Sequence, residues 1–280
     1  MNTQILNSRS AVNKKKLIKK QTKVKYNFKN IKRFTIGALL PIFIMVIWEI
    51  VASLNILPVA ILPTIQSVFE AFLAQIENGQ LLTDVSISLI RVMEGYFFAV
   101  IIGIFFGVIM GVSFKANNIF SLLFTTIRQV PTMAWIPLII LWCGIGETSK
   151  IVIIAKAAFF PILLNTISGI KNTPKGYLEV AQLNNVSKLD LYRKVYFPAA
   201  LPSIFTGLRL GLGIAWGMVV AAEIIASSSG IGYRINDSRS LMQSDIMISD
   251  MIVIGVIGAF MDFVLRRISK HFSKWQASEV

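Results

Sequence analysis

Apolar residues in this chain fall into long runs separated by short polar stretches, and the run lengths predict helices that cross a membrane. About 20 consecutive apolar residues are needed for each crossing. Runs of that kind occupy residues 34–54, 86–114, 119–142, 150–170, 201–226 and 246–265. The third is interrupted by Pro131 and Pro137, and the fourth carries Pro161. Between the first two, Ile65, Val68, Phe69, Phe72 and Ile76 recur at helical spacing after Pro58 and Pro63. That spacing predicts a short amphipathic helix at the membrane surface. The whole pattern predicts an all-α membrane protein with six transmembrane helices.

One polar stretch between two apolar runs has a pattern of its own. Leu183, Val186, Leu189, Tyr192 and Val195 or Tyr196 fall three or four apart, with Gln182, Asn184, Asn185, Lys188, Asp190, Arg193 and Lys194 largely off that stripe. This predicts an amphipathic helix over 179–197. Pro198 lacks the N–H that would continue the ladder, and Pro202 suits the first turn of a following helix. The segment is therefore predicted to end at a proline-marked corner that feeds the fifth span. Two uses remain open: a soluble partner gripping the helix could rotate the span, or the helix rests on the membrane.

Charge sets the orientation. The net charge is +14, and residues 1–33 hold eleven basic residues and no acidic one, leaving 17 basic against 14 acidic residues elsewhere. A Lys-rich run just before an apolar segment holds an N-terminus in the cytoplasm and adds affinity for anionic lipid; this reading is preferred to a nucleic-acid arm. No cleaved signal peptide is expected. Residues 55–85 carry Glu70, Glu77 and Asp84 but no Lys or Arg, as an outside segment should. Lys171, Lys175, Lys188, Arg193 and Lys194 put the polar segment inside, and Arg266, Arg267, Lys270 and Lys274 do the same for the C-terminus. The expected layout is a basic cytoplasmic tail at 1–33, a membrane domain at 34–270 with a cytoplasmic segment at 171–200, and a cytoplasmic tail at 271–280.

Several chemistries find no support. Cys143 is the one cysteine and His271 the one histidine, so neither a disulfide nor a His/Cys metal site is expected. There is no Gly-Lys dipeptide, hence no phosphate-cradling P-loop, and no HExxH or GxSxG motif. Charged residues at membrane depth are Glu49, Arg91, Glu94, Arg128, Lys156, Arg209 and Glu223. Such groups are costly in lipid and face protein or water. Arg91 and Glu94 could pair on one helix face, and Glu223 could meet a basic partner. Gly103, Gly107 and Gly111, Gly207 and Gly211, and Gly213 and Gly217 recur at spacing four, which lets helix backbones approach closely. With no ATP site of its own, active transport by this chain would draw its energy from a partner. A passive channel or membrane scaffold is the alternative class.

Glu179-x-Ala181-x3-Asn185, followed by x9-Val195-x-Phe197-Pro198, resembles the EAA loop of ABC importer permeases, with Val180 at the second position and Asn185 at the motif glycine. Further pieces recur in order: Leu62-Pro63-x3-Ser67-Val68, Ser88-x2-Arg91-x3-Gly95, Arg128-x2-Pro131-x2-Ala134-x2-Pro137-Leu138, Leu141-Trp142-x-Gly144-Ile145-Gly146-Glu147-x-Ser149-Lys150-Ile151, Phe160-Pro161-Ile162, Gly207-Leu208-Arg209, Ala215-Trp216, Ala222-Glu223 and Gly230-Ile231-Gly232. The set is similar to the nitrate/sulfonate/taurine/bicarbonate branch of type I importers. The resemblance implies a permease of the bacterial plasma membrane, both termini cytoplasmic, that is not itself an enzyme. It implies a second copy of the chain, two ATPase subunits that use ATP and Mg, an extracytoplasmic solute-binding protein, and no cofactor on this chain. It also implies alternating access. The coupling segment would comprise Glu179, Val180, Ala181, Gln182, Leu183, Asn184, Asn185, Val186, Ser187, Lys188 and Leu189, with Pro198 and Pro202 fixing the corner. Arg91, Arg128, Pro131, Lys156, Trp216 and Glu223 are candidates for the translocation path. The implied solute is a sulfonate, taurine or nitrate-like anion; a thiamine-precursor pyrimidine or another small organic solute is the alternative.

Overall fold

A computed structural model describes Gly37 and residues 39–272. The two predicted tails lie outside the described residues, apart from 271 and 272. The chain divides into two compact units, Met1–Ile65 and Gln66–Val280.

In the first unit, α1 (Leu39–Ser53) is an apolar helix. Its described part is too short to cross a membrane unaided, and the predicted start at residue 34 lies outside the described residues. Glu49, an oddity in an apolar run, has a local purpose: its Oε2 accepts from the Ile65 N–H at 2.9 Å, an amide at the start of a helix that no intrahelical carbonyl serves. Trp48 Nε1 likewise donates to the Pro63 carbonyl at 2.8 Å. The short helix expected after the prolines is α2 (Ile65–Glu77).

The described residues of the second unit form helices joined by short non-helical connections. It contains α3 (Gln80–Val112), α4 (Phe114–Gln129), α5 (Thr132–Cys143), α6 (Glu147–Lys171), α7 (Lys175–Leu183), α8 (Lys188–Leu191), a π-helical turn at Tyr192–Tyr196, α9 (Phe197–Ala226), α10 (Ile231–Ser240) and α11 (Ser244–Phe272). Helix α6 is central, with α3 and α9 packed along it. Val92 and Ala99 of α3, Ile154, Ala158 and Ile162 of α6, and Leu212, Ala215, Trp216 and Val219 of α9 form the main core. Phe106, Phe120, Phe124, Phe159 and Phe160 meet largely edge to face and tie α4 to α3 and α6.

Glycines explain the close packing. A Cβ on Gly95, Gly103, Gly107 or Gly111 would lie 2.5–3.0 Å from side-chain atoms of Ile154, Ile162, Thr166 or Ile170 on α6. Gly207 and Gly211 press onto the other side of α6, near the Pro161 and Ala158 carbonyls. A Cβ on Gly213 or Gly217 would meet nothing within 4 Å, so their spacing serves no close packing among the described residues.

Among the described residues, four helices are long and apolar enough to span a membrane: α3, α6, the continuous path Lys188–Ala226, and α11. The predicted third span is two helices, α4 and α5, bent by 98°: as one broken span they bring the count to five, and as a re-entrant loop they do not. The break sits at Val130, whose extended conformation (ψ 117°) is what a following proline enforces. Pro137, by contrast, lies inside α5.

The predicted helix over 179–197 is also corrected. It breaks at 184–187, and no corner exists at Pro198 or Pro202. The helical path runs through both, with Pro198 in the first turn of α9 and Pro202 inside it. The π turn supplies the reason: the Phe197 N–H bonds to the Tyr192 carbonyl, five residues back. One extra residue per turn re-registers the ladder just where Pro198 has no N–H to give. Finally, α10 lies in the polar stretch between the runs 201–226 and 246–265, for which the apolar pattern predicts no element.

If the α3–α6 approach holds this unit together, Gly107→Val will overpack it by about 1–3 kcal/mol and lower the detergent-solubilised melting temperature, while Gly213→Ala will leave it unchanged. Equal effects would refute the assignment.

Candidate functional site

Two regions gather the polar chemistry. The first is a buried ion centre where α3, α6, α9 and the loop before α10 meet. Arg91 of α3 does not pair with Glu94, which is exposed. All five of its N–H donors are used instead. Nε and Nη2 grip the Glu147 carboxylate at 2.6 Å each, Nη1 donates to Glu223 Oε1 and to the Ser229 carbonyl at 2.8 Å, and Nη2 also reaches Ser229 Oγ at 3.0 Å. Glu223 is 0% exposed. Its oxygens also accept from Ser88 Oγ at 2.8 and 2.9 Å and from the Gly232 N–H at 2.9 Å. Lys150 Nζ adds a bond to Glu147 at 2.9 Å, so two cations face two carboxylates.

Gly230 is required here for two reasons. Its φ is +99°, and a Cβ would sit 2.4 Å from Glu223 Oε1. Its own N–H donates to Asp84 at 2.8 Å. The ordered motif pieces containing Ser88, Arg91, Glu147, Lys150, Glu223 and Gly230 thus converge on one constellation.

The second region is the predicted coupling segment. Helix α7 starts after Pro174 and ends in a Schellman motif: the Val186 N–H bonds to the Ala181 carbonyl at 3.1 Å and the Asn185 N–H to the Gln182 carbonyl at 3.0 Å. Asn185 occupies the left-handed position with φ +50°. Glycine is the usual residue at such a position and Asn its common substitute. Asn184 Nδ2 bonds back to the Val180 carbonyl at 2.8 Å. Ser187 then caps α8 by accepting from the Asp190 N–H at 3.2 Å.

Ala181 is buried; Glu179, Val180, Gln182, Leu183 and Leu189 are exposed, with Leu183 at 82%. Tyr177, Val180 and Leu183 lie three apart and present an uncovered apolar edge. A groove of about 580 Å³ beside them is lined by Val180, Val186, Val195 and Pro198, among others.

The remaining candidates are dispersed. Trp216 is buried and donates to the Ile254 carbonyl at 3.0 Å. Arg128 and Pro131 are exposed at the α4–α5 break. Lys156 is half-buried beside Trp135 and Phe160. Arg209 pairs with Asp262 at 2.9 Å, and Asp262 also holds Arg266. Among the described residues, no cluster of His, Cys, Asp and Glu could hold a metal.

Residues 99–276 match the family described as "Binding-protein-dependent transport system inner membrane component". The chain belongs to that family. The permease is 40% identical to a Methanocaldococcus jannaschii protein assigned as an ABC transporter permease, over 88% of this chain and 94% of that one. It is 35% identical to the aliphatic sulfonates transport permease protein assigned as SsuC in Bacillus subtilis, covering 86% of this chain and 88% of that one. It is 32% identical to the taurine transport system permease protein TauC of Escherichia coli, over 83% and 86% respectively. A chain of the inward-facing MetNI methionine ABC transporter superposes with a TM-score of 0.61 at 20% identity, covering 70% of the permease and 97% of that chain. That likeness shows the fold, the one seen in type I importers. The permease is a multi-pass membrane subunit and is not itself catalytic.

Removing Arg91 strands a fully buried carboxylate, so Arg91→Ala is expected to destabilise by about 3–5 kcal/mol. Glu147→Ala unpairs two Arg91 donors but leaves the buried Glu223 its cation, so it should cost less; thermal unfolding in detergent compares the two, and equal losses would contradict a centre built on Glu223. At the turn, Asn185→Val should cost about 1–2 kcal/mol while Asn185→Gly is neutral or better. Limited proteolysis at 184–187 reads this, and protection of the Val variant would count against the turn.

Proposed function

We propose that the chain is the membrane subunit of an ATP-driven importer for a small anion of the aliphatic sulfonate, taurine or nitrate type, working by alternating access. In this reading it has six spans, α1 and the bent α4–α5 pair supplying the first and third. It sits in the inner membrane with both termini cytoplasmic. Two copies assemble with two ATPase subunits, which bind and hydrolyse ATP with Mg, and receive solute from an extracytoplasmic binding protein.

The observation that carries the reading is the coupling geometry. A short helix with an uncovered apolar edge is joined by one tight turn to a helical path, Lys188–Ala226, long enough to cross the membrane. Force applied at α7 is transmitted through a hydrogen-bonded turn instead of being lost in a flexible loop. The sulfonate and taurine relatives support the anion class, and the exposed Glu179 provides a carboxylate for a basic residue on the ATPase.

In proteoliposomes holding the permease, its ATPase and its binding protein, liganded binding protein should stimulate ATP hydrolysis. Leu183→Asp and Glu179→Ala should insert normally yet weaken ATPase capture, for Leu183→Asp by roughly tenfold or more. Variants indistinguishable from wild type would remove α7 as the coupling element and favour a passive channel or scaffold.

A further inference from the structure

We propose that Lys156, with Thr132 and Trp135, forms a site within the membrane for the head of a small organic sulfonate, and that the adjoining aromatic cavity takes its apolar tail. The proposal rests on the importer reading and deepens it by giving the solute a place in this chain.

Lys156 is the tenth residue of α6. At a rise of 1.5 Å per residue it lies about 14 Å from one end of the helix and about 22 Å from the other. A four-carbon stem does not span either gap, so the ammonium is held at membrane depth, where a cation is costly unless partnered. The two buried or half-buried arginines on spans, Arg91 and Arg209, each have a carboxylate. Lys156 makes no ion pair among the described residues. It has a long contact to Thr132 Oγ1 at 3.4 Å and lies 5.1 Å and 5.8 Å from the ring centres of Trp135 and Phe160. Aromatic faces offset only part of the desolvation of a cation.

A second observation points the same way. The Trp135 indole N–H is buried and has no acceptor, an arrangement that is uncommon and calls for a partner. The ammonium of α6 and the indole N–H of α5 thus both lack an anion among the described residues.

Their surroundings select the kind of anion. An open cavity of about 730 Å³ adjoins them, lined by Phe98, Trp142 and Phe159 as well as Trp135 and Phe160. That volume suits a small molecule. Nitrate has no tail to place against aromatic rings. A sulfonate offers its oxygens to the Lys156 ammonium, which lines the cavity, and a carbon chain to the aromatic wall. A lipid headgroup shares the anion chemistry but sits roughly 15 Å from the bilayer midplane, away from Lys156.

The full-length permease in phosphatidylcholine nanodiscs should bind butanesulfonate, read by tryptophan fluorescence and confirmed by calorimetry, and should not bind butanol. Lys156→Gln should weaken binding roughly tenfold or more, Lys156→Arg should recover part of it, and Trp135→Phe should weaken it less. Thr132→Val serves as the milder variant if Lys156→Gln fails to fold. Unchanged affinity in Lys156→Gln, or in Thr132→Val when that variant replaces it, would overturn the site, as would no binding by wild type. Loss of binding when phosphatidylglycerol replaces phosphatidylcholine would overturn it in favour of a lipid occupant. Sulfonate uptake by the wild-type complex, run alongside, separates the two levels: uptake without binding to the permease discards this site and leaves the importer reading standing.

Discussion

The guanidinium of Arg91 is the constraint on which the second unit turns. A cation almost entirely out of water is unfavourable unless every donor finds an acceptor, and here each one does. Its acceptors come from α6, from α9 and from the loop that precedes α10. Satisfying one side chain therefore fixes the relative register of three long helices. With that register set, the glycines of α3 and α9 fall opposite α6 and the backbones close to contact distance. Because the α3 glycines recur every four residues, a shift of one turn would keep several of them opposite α6, but it would leave Glu223 buried without its partner.

The helix that carries Glu223 also begins the path leading from the α7 turn. Lys188 and Glu223 are separated by about 50 Å of continuous helical ladder, interrupted only by the π turn that accommodates Pro198. A ladder of backbone hydrogen bonds resists bending far better than a loop does. Movement at Asn185 is thereby linked to the ion centre by a single rigid element, and the exposed ladder of Tyr177, Val180 and Leu183 stands on the other side of that turn.

Much of this was legible in the sequence, for identifiable reasons. Long apolar runs located α3, α6, α9 and α11 because run length is what hydrocarbon thickness demands. The motif set pointed to the family. The partners of Arg91 were not legible, because Glu147 and Glu223 lie 56 and 132 residues away; spacing rules favoured Glu94, three residues on, although that carboxylate points outward. Pro198 was read as a stop because the usual helical ladder has no room for it, and no sequence signal announces a π turn. The stripe from Leu183 to Tyr196 looked continuous since periodicity takes no account of one Asn adopting a positive φ. Helix α10, with the polar sequence IGYRINDSRS, has too little periodicity to be seen.

The bend between α4 and α5 has a consequence for the solvent around it. Where a helix breaks within the depth of a bilayer, the amides and carbonyls released from the ladder need partners, and an acyl chain has none to give. Val130 and Pro131 are exposed at this break. Where α4 and α5 form one broken span, their neighbour in the cell is accordingly something that can hydrogen-bond, either water or another polypeptide, and the annulus of lipid around the permease is interrupted at that point.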